Sequence, residues 1–157
     1  MRAGSRLGID VGTARIGVAR SDPHGMLATP VETVPRDRTA AGRDIARIVE
    51  LAAEVGAIEV IVGLPLALSG QRTASTADAV GFGEALQVAL SVPVRLVDER
   101  LTTVSAQSAL RASGRKAKQQ RPVVDQVAAV IIVQHALDAE RASGRPPGTP
   151  IAPTEGS

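Results

Sequence analysis

LGIDVGTARIGVAR, residues 7–20, reads as two short apolar strands, Leu7–Asp10 and Arg15–Arg20, with Gly12-Thr13 as the turn between them. Ser21-Asp22-Pro23-His24-Gly25 supplies a second turn. Leu27–Val34 then continues as a third strand, with Pro30 marking an edge or an irregular start. Three strands joined by tight turns fold most simply as an antiparallel meander. Asp10 closes the first of them, an acid at the end of an apolar run.

Downstream the period changes. Ile45, Ile48, Val49, Ala52 and Val55 recur at helical spacing within residues 39–55, and Gly56 stops the helix. Ala57–Leu64 is nearly all apolar and β-branched, as in a strand buried on both faces. A loop over 65–74 leads to Ser75 or Thr76, either of which caps a helix over 77–90. Residues 92–97 form a further strand, and Thr102 or Thr103 caps a helix through Leu110 that Gly114 closes. Residues 115–122 are a basic loop, and 123–137 form a helix apolar almost all round, hence buried. Strand–helix–strand crossovers imply parallel pairing in this half. The expected fold is α/β: a mixed five-stranded sheet with helices on both faces, over 1–140. Residues 141–157, rich in Pro, Gly and small polar residues, are expected to be a disordered tail.

Composition excludes several functions. One Phe, with no Trp or Tyr, removes base stacking on aromatic platforms as a binding mode. The lack of Cys excludes disulfides, Cys–zinc sites and thiol catalysis, and two His make a His-rich centre improbable. Any metal here is a hard cation held by carboxylates. The net charge of +2 is too small to argue for nucleic acid unless the cations cluster. No apolar run of 18 residues is present, so no membrane partner is expected and the expected compartment is the cytoplasm.

The acids at element ends carry the chemistry. Asp10 either organises its turn through backbone N–H groups or holds a cation, and alone it is evenly balanced between the two. Asp98 and Glu99 close the last strand, where adjacent residues point to opposite faces, so only one of them shares a face with Asp10. Asp125, in the first turn of the C-terminal helix, would by itself be read as stabilising the helix N-terminus. Together they are acids at the ends of three buried elements that a mixed sheet and its covering helix can gather. Such a cluster, without His or Cys, suits two divalent cations about 3.5–4 Å apart astride a scissile phosphate. RASGRKAKQQR, residues 111–121, places Arg111, Arg115, Lys118 and Arg121 just ahead of Asp125 without an intervening acid, well placed for phosphates.

Four blocks in order resemble the YqgF/RuvX family of RNase H-like nucleases, across residues 6–139. LGIDVGTARIGVARSD with TPVETV opens the chain, IVGLPLALSG follows, VDERLTTVSA is the most distinctive, and VVDQVAAVIIVQ matches the terminal helix. The resemblance implies an RNase H-like fold, with Asp10, Glu99 and Asp125 as the catalytic, metal-binding acids and Asp98 as the alternative at the strand end. The implied cofactor is Mg²⁺ or Mn²⁺. Arg15, Arg100, Lys118 and Arg121 fall where substrate phosphates would be met. The implied partner is structured RNA or branched DNA, bound by a monomer or homodimer. Two substrates compete: the 5′ end of the small-subunit (16S) ribosomal RNA precursor, and the Holliday junction. Ser69 and His135-Ala136 depart from the family's usual pattern without touching the three acids.

Two rivals come from other classes. Gly8–Thr13 also resembles the first phosphate loop of actin-like and sugar-kinase ATPases, which need a second domain around the nucleotide. A non-catalytic nucleic-acid-binding module would keep the fold without turnover.

Overall fold

Two hairpins followed by two strand–helix–strand crossovers build one sheet. The structure is a computed structural model that describes residues 2–65, 69–98 and 117–151, with 117–125 described by their backbone path alone. Strands β1 (Ser5–Val11), β2 (Arg15–Ser21) and β3 (Ala28–Pro35) form the antiparallel meander, and α1 (Arg43–Val55) crosses to β4 (Ala57–Leu64). Helix α2 (Ala74–Ala89) leads to β5 (Val94–Asp98), then α3 (Ala117–Ser143) and a two-residue β6 (Thr149–Pro150) complete the described chain. The strand order is β3, β2, β1, β4, β5, β6. β1, β4 and β5 are mutually parallel, so their C-terminal ends lie along one edge.

The expected helix over 39–55 starts later, at Arg43, because Gly42 sits in the left-handed region at φ 57. Gly56, at φ 64, ends it as expected, its N–H donating to the carbonyls of Ala52 and Ala53. The second helix starts earlier than expected. Thr73 is its cap and Thr76 closes a reciprocal capping box, where Ser75 or Thr76 was the expected cap. The expected helix over 102–110 lies outside the described residues.

One expectation is corrected at the C-terminal end. Residues 117–121 continue α3 rather than belonging to a loop, so Lys118 and Arg121 ride on the helix. Of the expected tail from 141, residues to 151 are described: α3 runs to Ser143, and Thr149–Pro150 add a sixth strand against Leu96 and Arg95. Composition missed this because a short edge strand carries no period. It is held by Ile151, whose N–H donates to Val94 O and whose side chain joins the core.

The two faces of the sheet differ in what they bury. Leu7, Ile9, Ile16, Val18, Val60, Val62 and Val94 face α1 and α2, against Ile48, Leu51, Phe82 and Leu86. The other face meets α3 through smaller groups: Ala19 and Ala28 against Ala129, Val133 and Leu137, and Ile61 against Ile132 and Ala136. Gly8 lies directly beneath Val133, and a Cβ there would overlap Val133 Cγ2. That absence of a side chain lets α3 sit close to β1.

α3 runs antiparallel to β1 and β3. Ala28, at the start of β3, donates to Gln134, whereas Thr33, near its end, accepts from Gln126 at 2.9 Å. At the opposite pole Glu140 meets Arg2 at 2.8 Å and Arg6 at 3.2 Å, and Arg2 also reaches Glu59 at 3.0 Å. Arg6, Glu59 and Glu140 are buried, so this is an interior, charge-balanced knot tying the start of β1 to the end of α3.

Candidate active site

Asp10 occupies the last turn of pleat but one in β1, at the C-terminal edge of the parallel strands, and is half-buried. Side-chain alternation puts it on the face of Gly8, the face crossed by α3. Its register partner on β2 is Gly17, and Gly17 in turn pairs with Thr33 of β3. On the other side β1 pairs with β4 through Gly8↔Ile61 and Ile9↔Val62, one position short of Asp10. Gly17, which has no side chain, therefore stands beside the carboxylate on the β2 side.

α3 brings Asp125 to the same end by its backbone path. Residue 125 lies one helical turn ahead of Ala129, which sits over Gly8, and directly before Gln126, which reaches Thr33 in the row of Asp10. The step from Gly8 to Asp10 along the strand is about 6.6 Å and one helical turn back is about 5.4 Å, so the two chain positions keep pace.

The strand-end pair divides by face. Leu96 packs into the α1/α2 core and Val97 into the α3 side. Alternation then puts Asp98, which is exposed, on the Leu96 face, away from Asp10. Glu99 is the next position, and with Arg100 and Arg115 it lies outside the described residues. Among the described residues no three acids, His or Cys gather into a metal-holding group.

Arg15 starts β2 two residues from Gly17, which gives it the α3 face and the same sheet end as Asp10. Lys118 and Arg121 belong to the first turns of α3, the end of the helix that lies at that edge. Of the expected phosphate contacts, these three share one end of the molecule.

A second group at this end was not legible in the sequence. Arg36 Nη1 and Nη2 donate to the two carboxylate oxygens of Asp78 at 2.9 and 3.0 Å, and Cζ stands 5.2 Å from the centre of the Phe82 ring. Arg36 Nε is 3.6 Å from the buried carboxylate of Asp44. The guanidinium holds the Asp78 carboxyl below its ordinary value, while the Asp37 carboxyl is lowered to about 2, chiefly by the Thr39 hydroxyl. Pro35-Arg-Asp-Arg-Thr39 has no period and resembles an ordinary charged loop, so only its contacts mark it.

Comparison with known proteins gives this geometry a context. Residues 4–139 match the family model RuvX, described as Holliday junction resolvase. A protein of Clavibacter sepedonicus is 68% identical over 148 residues, covering 94% of this chain and 91% of its own length. One of Leifsonia xyli subsp. xyli (strain CTCB07) is 67% identical over 156 residues, covering 99% of each. Both bear the name "Putative pre-16S rRNA nuclease". Among solved structures, T. thermophilus RuvC in complex with Holliday junction substrate matches with a TM-score of 0.58, over 94% of this chain and 99% of its own. At 20% identity that likeness shows the common RNase H-like fold, here with six strands rather than the expected five.

Proposed function

The chain belongs to the RuvX family, and from that membership we propose how it works: it is a nuclease that hydrolyses phosphodiester bonds at the end of the sheet marked by Asp10. The observation that carries this reading is that α3 crosses the face of the sheet bearing Asp10 and has its N-terminal end at the same edge. Gly17 stands beside Asp10 in that row, and Gln126 of α3 reaches Thr33 in it.

We assign Asp10, Glu99 and Asp125 as the acids that hold Mg²⁺ or Mn²⁺, two ions in the full site. The donor set fits: a half-buried carboxylate with a glycine beside it in the sheet, and hard oxygen ligands without His or Cys. When bound, the cations supply charge for an activated water and for the leaving oxygen. Asp98 is set aside as a ligand, because alternation gives it the far face. Arg15, Lys118 and Arg121, with Arg100 and Arg115 from the intervening segment, neutralise and orient the substrate phosphates.

The substrate we propose is the 5′ end of the precursor of 16S ribosomal RNA, processed in the cytoplasm during ribosome biogenesis, as the names of the relatives suggest. A four-way DNA junction is the second reading, favoured by the description of the matching family. No helix among the described residues is long and apolar enough to cross a membrane. Cleavage of an rRNA precursor and of a four-way junction, side by side at equal enzyme with Mg²⁺ or Mn²⁺, decides between the two. Asp10→Asn is expected to abolish whichever cleavage is seen. Equal activity of wild type and Asp10→Asn would overturn the assignment and leave a binding module. A protein that stays monomeric on the substrate favours the RNA, since symmetric junction cutting takes two copies.

A further inference from the structure

The turn after Asp10 is held by its carbonyl oxygens. Gly12 O accepts from Arg36 Nη1 at 2.8 Å and Thr13 O from Arg38 Nη2 at 3.0 Å. Ala14 O accepts from the Arg36 backbone N–H at 2.9 Å, and Arg15 O from the Gly12 N–H at 2.8 Å. Four successive carbonyls are thus engaged, three of them by Arg36 and Arg38.

Arg36 is itself fixed from several sides. Its side chain is only 8% exposed, forked onto Asp78 of α2, laid against Phe82 and drawn toward Asp44 of α1. Both helices on one face of the sheet therefore grip the turn through a single guanidinium. The turn has little slack of its own: a Cβ at Gly12 would stand 2.7 Å from Arg15 O. Asp10 lies two residues before Gly12, and Arg15 three residues after it.

We propose that Arg36 is a positioning residue for the cleavage reaction, acting through the Gly12–Arg15 turn to fix both Asp10 and Arg15. This rests on the nuclease reading above. A carbonyl left free in that turn would compete with Asp10 for a cation, or repel a phosphate oxygen. Donors on all four oxygens remove both effects and stiffen the strand end that carries the carboxylate. Only an arginine serves two partners at once here, because its planar fork spans Asp78 while a further Nη1 hydrogen reaches Gly12 O.

The test compares wild type, Arg36→Met, Arg36→Lys, Asp10→Asn and, as a control that loses three surface ion pairs elsewhere, Arg47→Met. Amide hydrogen exchange at Gly12 and Arg36 reads the turn, and steady-state cleavage reads kcat, KM and the Mg²⁺ midpoint. Arg36→Met is expected to speed exchange at both amides, lower kcat about a hundredfold, raise the Mg²⁺ midpoint and leave KM for nucleic acid nearly unchanged. Arg36→Lys should recover part of kcat, and Arg47→Met should match wild type. Slow exchange and full kcat in Arg36→Met, or a loss no greater than that of Arg47→Met, overturns the proposal while Asp10-dependent cleavage stands. A loss of kcat with an unmoved Mg²⁺ midpoint and no recovery by lysine also overturns it, pointing to general destabilisation. Cleavage that ignores Asp10→Asn overturns the nuclease reading itself, and the proposal with it.

Discussion

Glu140→Gln probes the buried knot at the pole opposite the site. Glu140 is 2% exposed and its carboxyl is lowered from the ordinary 4.5 to about 2, chiefly by the hydrogen bond from Arg2, with burial opposing and the charges of Arg6 and Arg2 adding. Each tenfold change in proton affinity is worth about 1.4 kcal/mol, so the drop corresponds to about 3 kcal/mol of native-state stabilisation. Arg2 is 39% exposed and screened on that side, which trims the figure toward about 2 kcal/mol. The amide also leaves Arg6, at 1% exposure, facing a neutral group inside the fold, a loss that in buried pairs runs to about 3–5 kcal/mol. Urea denaturation at pH 7 should therefore show Glu140→Gln destabilised by about 3 kcal/mol. Because the folded value lies below the unfolded one, wild type holds this stabilisation fully above about pH 4.5 and loses it as pH falls toward 2. The gap between wild type and variant should close over that window. Glu32→Gln, which breaks a pair whose members are 34% and 36% exposed, should cost under about 1 kcal/mol. A Glu140→Gln penalty as small as that of Glu32→Gln, or a gap that does not narrow below pH 4.5, would refute the reasoning.

Two further pairs of substitutions test the placement of site and helix. Glu99→Gln should abolish cleavage with Asp10→Asn, whereas Asp98→Asn should keep most of kcat, since alternation turns Asp98 to the Leu96 face; the reverse ranking would assign the strand-end ligand to Asp98. Gly8→Ala should destabilise by about 1–3 kcal/mol, because its methyl would overlap Val133. Pairing it with Val133→Ala should return part of that loss in thermal melting; strict additivity of the two would show that they do not share the space.

The periodic parts of the chain determined most of the fold by themselves. Alternation and turn chemistry over residues 7–34 specify the meander, and apolar runs at 57–64 and 92–97 specify strands, because burial of one or both faces leaves its mark on every residue. The acid at the end of β1 was legible for the same reason, as a charge where an apolar run stops. Tertiary structure decided what has no period. Strand register set Gly17 beside Asp10 and turned Asp98 away, a distinction one residue wide that composition cannot register. Arg36 and Asp78 lie 42 residues apart, and Arg6 and Glu140 lie 134 apart. Such pairs are chosen by which ends of elements meet in space, and a charge in a loop looks the same in sequence whether it is solvated or clasped. Even β6 owes its place to Ile151 finding the core, not to any propensity of Thr149-Pro150.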